Sequence, residues 1–168
     1  MGTAITHYII SPDMNGWTDL HKLVLTNDFN KDLFDAHLHD VNSKTSTGSS
    51  PLHLSTIDGN QEIIIYLIRR GARVNSTNDR GETPLHWACK TGRTSIIKLL
   101  IKAGADISTP DLDGNTALHW AAEHNSHRII KVLLQRGAKP TKNNQNQTPL
   151  EVAASNLATK AQKVFLSQ

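Results

Sequence analysis

The histidines and the single cysteine are the residues of this sequence that could most readily do chemistry: its 168 residues include nine histidines and one cysteine. His86 and Cys89 lie three residues apart, a spacing that brings a base and a nucleophile to one side of a helix. His124 and His127 have the same spacing and could offer two ligands to a metal ion. Neither pair has the further groups that such chemistry requires: an orienting partner and an oxyanion site for the first, a carboxylate or cysteine for the second. We therefore predict no catalytic residue, no metal site and no cofactor.

Composition narrows the classes of function further. One cysteine cannot form an internal disulfide, which favours a reducing compartment such as the cytoplasm or the nucleus. The longest apolar run, Ile63–Ile68, is too short to cross a bilayer. The net charge is +3, and the excess lysines and arginines fall on predicted outer helices, where they keep the surface soluble, so we expect no nucleic-acid binding. The first residues fit the loose N-myristoylation pattern at Gly2, without the basic cluster that would strengthen membrane attachment.

A 33-residue repeat organises most of the chain. Gly48, Gly81 and Gly114 lie at this spacing, and each is followed two residues later by a similar string. The strings are Ser50-Pro51-Leu52-His53, Thr83-Pro84-Leu85-His86 and Thr116-Ala117-Leu118-His119, and weaker copies begin at Thr18 and Thr148. A second string with the same period is Arg70-Gly71-Ala72, Ala103-Gly104-Ala105 and Arg136-Gly137-Ala138. Such a period indicates a stack of repeats, each of which is one supersecondary unit.

These strings resemble the ankyrin repeat. The resemblance implies an all-α repeat solenoid of about five repeats, each with two helices and a β-hairpin loop, that binds a partner on its concave surface. It divides the chain into a tail at 1–12 and one domain at 13–168, with repeats at about 13–44, 45–77, 78–110, 111–142 and 143–168. The two terminal repeats match loosely and are expected to act as caps. In this family the motif histidine ties neighbouring repeats together, which implies a structural role for His21, His53, His86 and His119.

The residue types agree with this arrangement. Thr83 suits an N-cap, and Pro84 suits the first helical position, where a missing N–H costs nothing. Gly92 and Gly104 suit the left-handed residues that end the first and the second helix. The apolar stripe of the second helix is Ile96, Ile97, Leu99 and Leu100. Because each helix is too short to be stable alone, stability must come from stacking.

The predicted partner-binding surface is formed by the loops and the first helices. Its candidate residues are Ile57 and Asp58 in the second repeat, Asp79, Arg80, Glu82, Lys90 and Thr91 in the third, and Leu112, Asp113, Asn115, Glu123 and His124 in the fourth. Leu112 and Ile57 are the strongest candidates, because an apolar residue at a surface position does nothing for stability. Trp87 and Trp120 are expected to pack between helices, whereas Trp17 could either pack in the cap or contact a partner.

The predicted function is a protein–protein interaction module that acts as a monomer and is not an enzyme. A scaffold, an adaptor or an inhibitor that occludes its partner's surface would each suit it. The alternatives are a host-directed effector, which would work in the cytoplasm of a host cell, and a regulatory subunit of an enzyme complex. Direct catalysis would require an activity that depends on His86 or Cys89.

Overall fold

A computed structural model describes residues 16–167, so the tail predicted at 1–12 lies outside the described residues. Over this range the chain forms ten α-helices, two in each of five repeats. The first helices of the repeats are α1 (Asp19–Leu25), α3 (Pro51–Asp58), α5 (Pro84–Lys90), α7 (Ala117–Glu123) and α9 (Pro149–Ser155). The second helices are α2 (Lys31–Ala36), α4 (Gln61–Arg69), α6 (Thr94–Lys102), α8 (His127–Gln135) and α10 (Thr159–Leu166). None of these helices combines the length and the apolar character needed to span a membrane.

Every first helix begins with the same local chemistry. Its N-cap is a serine or a threonine whose side chain and backbone N–H are both engaged by the residue three positions later, which is a capping box. That residue is the motif histidine in four repeats and Glu151 in the last. The predicted cap at Thr83 and the proline at the first helical position are confirmed. Gly92 and Gly104 have φ angles of 71° and 93°, as the sequence predicts for residues that end helices.

The core lies between the two layers of helices. The first helices pack on one another in chain order, and small buried residues such as Ala88, Cys89 and Ala121 let them approach closely. The second helices cover this layer with their apolar stripes, of which Ile96, Ile97 and Leu100 are fully buried. Leu99, predicted in the same stripe, is only half-buried at its edge. The result is the predicted all-α solenoid, whose short helices are held by their neighbours.

The loops between repeats are hairpin-shaped, but none of the residues from 16 to 167 forms a β-strand. Each loop closes within five residues, as where the Asn78 N–H donates to the Glu82 carbonyl at 3.0 Å. Neighbouring loops share one backbone bond, such as that from the Leu112 N–H to the Arg80 carbonyl at 2.9 Å. Equivalent bonds join Asp79 to Thr47 and Asn144 to Asp113. Because the chain turns back so soon, there is no room for the ladder of bonds that defines a sheet.

The first repeat is the least regular, as its polar sequence predicts. Its second helix has only six residues and is followed by a 3-10 turn at Leu38–Asp40, which explains the irregular apolar spacing. Phe34 is fully buried and packs with Phe29 and Tyr66, whose ring centroids lie within 6 Å of one another. Aromatic packing therefore replaces part of the aliphatic core at this end of the stack.

The turn between α9 and α10 contains a residue whose replacement should stabilise the protein. Leu157 has φ 52° and is 82% exposed, at the place where earlier repeats have Gly59 and Gly92. The left-handed conformation is strained for leucine, so Leu157→Gly should raise the free energy of unfolding by about 0.5–1 kcal/mol after the entropy cost of glycine. Urea titration measures the change. Leu157→Ala is the control, because it removes the side chain but keeps the strain; an equal gain from it would contradict this explanation.

Candidate functional site: the loop and first-helix surface

The four motif histidines lie at the junctions between repeats. In each, Nδ1 accepts the backbone N–H of the helix N-cap and Nε2–H donates to a carbonyl in the next loop. For His86 these distances are 3.0 Å to Thr83 N and 3.1 Å to Asn115 O. Because a backbone N–H can only donate and a carbonyl can only accept, the bonds specify the neutral tautomer with its proton on Nε2. The structural role implied by the resemblance is thus met by observed bonds.

Two pairs of residues could do chemistry by their spacing, His86 with Cys89 and His124 with His127. In both pairs the structure shows contacts that serve the fold instead. His86 uses both ring nitrogens within the fold, and burial raises the pKa of the fully buried Cys89 thiol, so the two do not form a base and a nucleophile. The Nδ1 of His124 bonds to the Trp120 carbonyl at 2.9 Å. Within residues 16–167, no three histidine, cysteine, aspartate or glutamate side chains come together in a group that could hold a metal ion.

The sequence matches a family model described as ankyrin repeats (three copies), over two stretches, residues 20–111 and 108–168. The chain belongs to the ankyrin-repeat family. Ankyrin repeats are generally protein–protein interaction modules, and the family is typically non-catalytic. No curated protein sequence matches the chain.

The loop of the fourth repeat carries an exposed apolar side chain on a fixed backbone. Leu112 is 69% exposed. Its N–H donates to the Arg80 carbonyl and its own carbonyl accepts from Asn144 Nδ2, both at 2.9 Å. The buried carboxylate of Asp111 also holds the loop, since its Oδ1 accepts the N–H groups of Asp113 and Asn115 at 3.0 and 2.8 Å. The backbone around Leu112 is tied on both sides, and only its side chain is free to make a contact.

Asp111 joins this loop to the helix beneath it. Its Oδ2 accepts a hydrogen bond from the indole Nε1 of Trp120 at 2.8 Å. Trp120 is half-buried, and the ring of His124 lies nearly parallel to it, with an interplanar angle of 9° and a centroid separation of 6.1 Å. Glu123, between them in sequence, is exposed. The fourth repeat therefore presents an exposed leucine, two partly exposed rings and two exposed carboxylates, Asp113 and Glu123.

In the third repeat one candidate must be corrected. Glu82 is only 7% exposed, and its Oε2 accepts from Trp87 Nε1 at 2.6 Å and from Asn78 Nδ2 at 2.7 Å. Its carboxylate is therefore a structural acceptor beneath the surface rather than a group offered to a partner. Three other candidates of this repeat, Asp79, Arg80 and Lys90, are exposed. Thr91 is half-buried and donates its hydroxyl to the Ala88 carbonyl at 2.9 Å.

Three more candidates are less available than the sequence predicts. Ile57 is half-buried against the core instead of standing free. Asp58 beside it is also half-buried; burial raises the pKa of its carboxyl group, and the positive charge of Arg93 opposes the shift. Asn115 uses its side-chain oxygen to accept from Asn143 Nδ2 at 2.8 Å. Trp17 is half-buried and packs against the core, as expected of a residue in a cap.

Asp111 is the residue of this surface whose contacts the sequence analysis does not predict. It stands at the loop position occupied by Asn78 and Asn143 in the neighbouring repeats, so its role in shaping the loop follows from the repeat register. Its bond to Trp120 does not follow from that register. Trp87, the equivalent ring, bonds to Glu82, four positions further along its own loop. The carboxylates at these two different positions are the only sequence signal for the difference.

The histidine bonds predict how stability depends on pH. Burial lowers the pKa of all four motif histidines below the ordinary 6.5, and that of His53 to about 4. As the pH falls, the unfolded chain therefore takes up protons before the folded protein does. The free energy of unfolding has its full value above pH 6.5 and decreases as the pH drops towards 4, by about 3 kcal/mol for His53 alone. Urea titrations between pH 7.5 and pH 4.5 measure this slope. His53→Gln should flatten it, and an unchanged slope in that variant would contradict the assignment.

The bonds of the Glu82 carboxylate predict that its removal destabilises the protein. Glu82→Ala leaves the donors of Trp87 and Asn78 without an acceptor and should lower the free energy of unfolding by about 1–3 kcal/mol. Glu82→Gln keeps an oxygen for both donors and should cost less. Asp79→Ala, in the same loop but exposed, should stay within about 0.5 kcal/mol of the parent. Chemical denaturation measures the free energy of unfolding of the three variants. If Glu82→Ala were as stable as Asp79→Ala, Glu82 would again count among the candidate partner-binding residues.

Proposed function

We propose that this protein binds another protein through the loops and first helices of its third and fourth repeats, with Leu112 at the centre of the contact. The observation that carries the proposal is the combination of an exposed leucine side chain with a fully bonded backbone. A stability argument does not account for the leucine, because its side chain contributes little to the core. A partner that covered it would give it a role.

The fixed loop favours binding in energetic terms. Burying a leucine side chain contributes about 1.5–3 kcal/mol. A mobile loop would lose much of that gain when it became ordered, at about 0.5–1.5 kcal/mol for each immobilised side chain and more for the backbone. Here the bonds from Arg80, Asn144 and Asp111 already order the loop in the free protein. The neighbouring Trp120 adds an indole ring, a group enriched in the centres of protein interfaces.

We propose that the protein acts without catalysis, as a monomer, in the cytoplasm or the nucleus. Its role would be that of a scaffold, an adaptor or an inhibitor that covers a surface of its partner. The occupied ring nitrogens of His86 and the burial of Cys89 support the non-catalytic role. Cys89 is free of any disulfide, which suits a reducing compartment.

The central test compares two exposed leucines. Leu112→Glu places a charge on the proposed contact, and Leu166→Glu places the same charge on α10, where Leu166 is 74% exposed. Partners captured from cells that express each variant are quantified by mass spectrometry, after circular dichroism and thermal melting show that both variants are folded. We expect Leu112→Glu to lose the partners that the parent and Leu166→Glu retain. Equal recovery by all three proteins would reject the proposed surface.

A further inference from the structure

The charge at two surface positions changes sign between the third and the fourth repeat. The first position lies in the loop, where Arg80 of the third repeat is replaced by Asp113 of the fourth. The second is the last residue of the first helix, where Lys90 ends α5 and Glu123 ends α7. All four side chains are exposed. The third repeat thus presents two cations where the fourth presents two anions.

The flanking repeats are neutral at the same positions. Thr47 and Gln145 occupy the loop position in the second and the fifth repeat. Ile57 and Ser155 occupy the helix position. From the second repeat to the fifth, the loop position and the helix position are therefore each neutral, positive, negative and neutral in turn. The change of sign is confined to the third and the fourth repeat, which carry the proposed binding surface.

These charges are not used to hold the fold together. None of the four side chains lies within ion-pair distance of an opposite charge in the described part of the chain, where the ion pairs fall between Asp19 and Arg70. The other exposed charge of the third loop, Asp79, places its carboxylate against Gly48 of the preceding loop. Even close surface pairs contribute little to stability. The sign pattern is thus available for recognition.

We infer that the partner is a protein whose contact surface carries the opposite pattern. An aspartate or glutamate of the partner faces Arg80 and Lys90, and a lysine or arginine faces Asp113 and Glu123. An apolar side chain covers Leu112. Adjacent stacked helices lie about 10 Å apart, so the two partner charges have about that separation. This inference rests on the proposed function and adds the charge and the orientation of the partner to it.

Charge and shape together favour this occupant over two others. A nucleic acid would meet the carboxylates of Asp113 and Glu123 beside its phosphates, which disfavours it. A second copy of this chain, turned by a twofold axis, would match the charge pattern, because such an interface is self-complementary. However, the surface of an ankyrin stack curves inwards, and two such surfaces meet only at their edges. A separate protein with a convex contact surface fits both the charge and the shape.

The test exchanges the charges between the two repeats. The exchange variant carries Arg80→Asp, Lys90→Glu, Asp113→Arg and Glu123→Lys, so its net charge is that of the parent. The probes are members of a displayed library of three-helix domains, randomised on one helix face and selected against the full-length parent. Probes that lose affinity for Leu112→Glu are kept as binders of the proposed surface. Titration calorimetry then gives their affinities for the parent and for the exchange variant.

We expect the kept probes to bind the exchange variant about tenfold more weakly or worse at low salt, and the difference to shrink in about 0.5 M salt. The matched control carries Glu62→Lys and Lys98→Glu, two exposed residues of second helices, and should bind as the parent does. If no selected probe depends on Leu112, the proposed function and this inference both fail. If the probes depend on Leu112 but bind the exchange variant equally well, only the charge inference fails.

Sedimentation tests whether the surface binds a second copy of this chain. If the parent and the exchange variant each form dimers but do not mix with one another, the occupant is a second copy of the chain, and the assignment to a separate protein is wrong. We expect both proteins to sediment as monomers. Binding of a duplex DNA or RNA probe that is lost in Leu112→Glu would likewise overturn the assignment.

Discussion

The hydrogen bonds of the motif histidine are the interaction on which the rest of this structure depends. One ring joins the N-terminus of a first helix to the loop of the following repeat, as His86 does between Thr83 and Asn115. Each bond pair therefore serves two tasks, capping a short helix and setting its distance from the next repeat. Because no helix here is long enough to be stable alone, this link converts five weak units into one cooperative stack.

The same link fixes the surface that a partner would meet. A loop whose carbonyl accepts from the preceding histidine cannot move away from the helices behind it. The loop of the fourth repeat is tied further by the bonds of Asp111 and Asn144. Among the described residues, no buried side-chain nitrogen or oxygen lacks a hydrogen-bond partner. The buried polar side chains are thus all bonded, which leaves the exposed side chains as the ones that a partner could contact.

Much of this could be predicted from the sequence, because a 33-residue register repeats the same local physics. The caps, the left-handed glycines and the buried stripes follow from residue types at fixed positions, and they are where the register puts them. The register gives the position of a side chain but not its neighbours. It therefore does not show that Glu82 accepts a bond from an indole five residues away, or that Ile57 packs in part against the core. The register also does not show that the chain turns back too early in each loop for strands to form.

Departures from the repeat carry more functional information than its agreements do. Trp87 and Trp120 occupy one position and each bonds to a carboxylate, yet the acceptor is Glu82 in one repeat and Asp111 in the next. In the fourth repeat the acceptor has thus moved from the end of the loop to its start, where it also binds the N–H groups that shape the turn around Leu112. The fold does not require an apolar residue at this position, because the neighbouring repeats have Asp79 and Asn144 there. An exposed leucine on a hydrogen-bonded loop, beside a reversal of charge, is a combination that stability alone does not select and that binding a partner would explain.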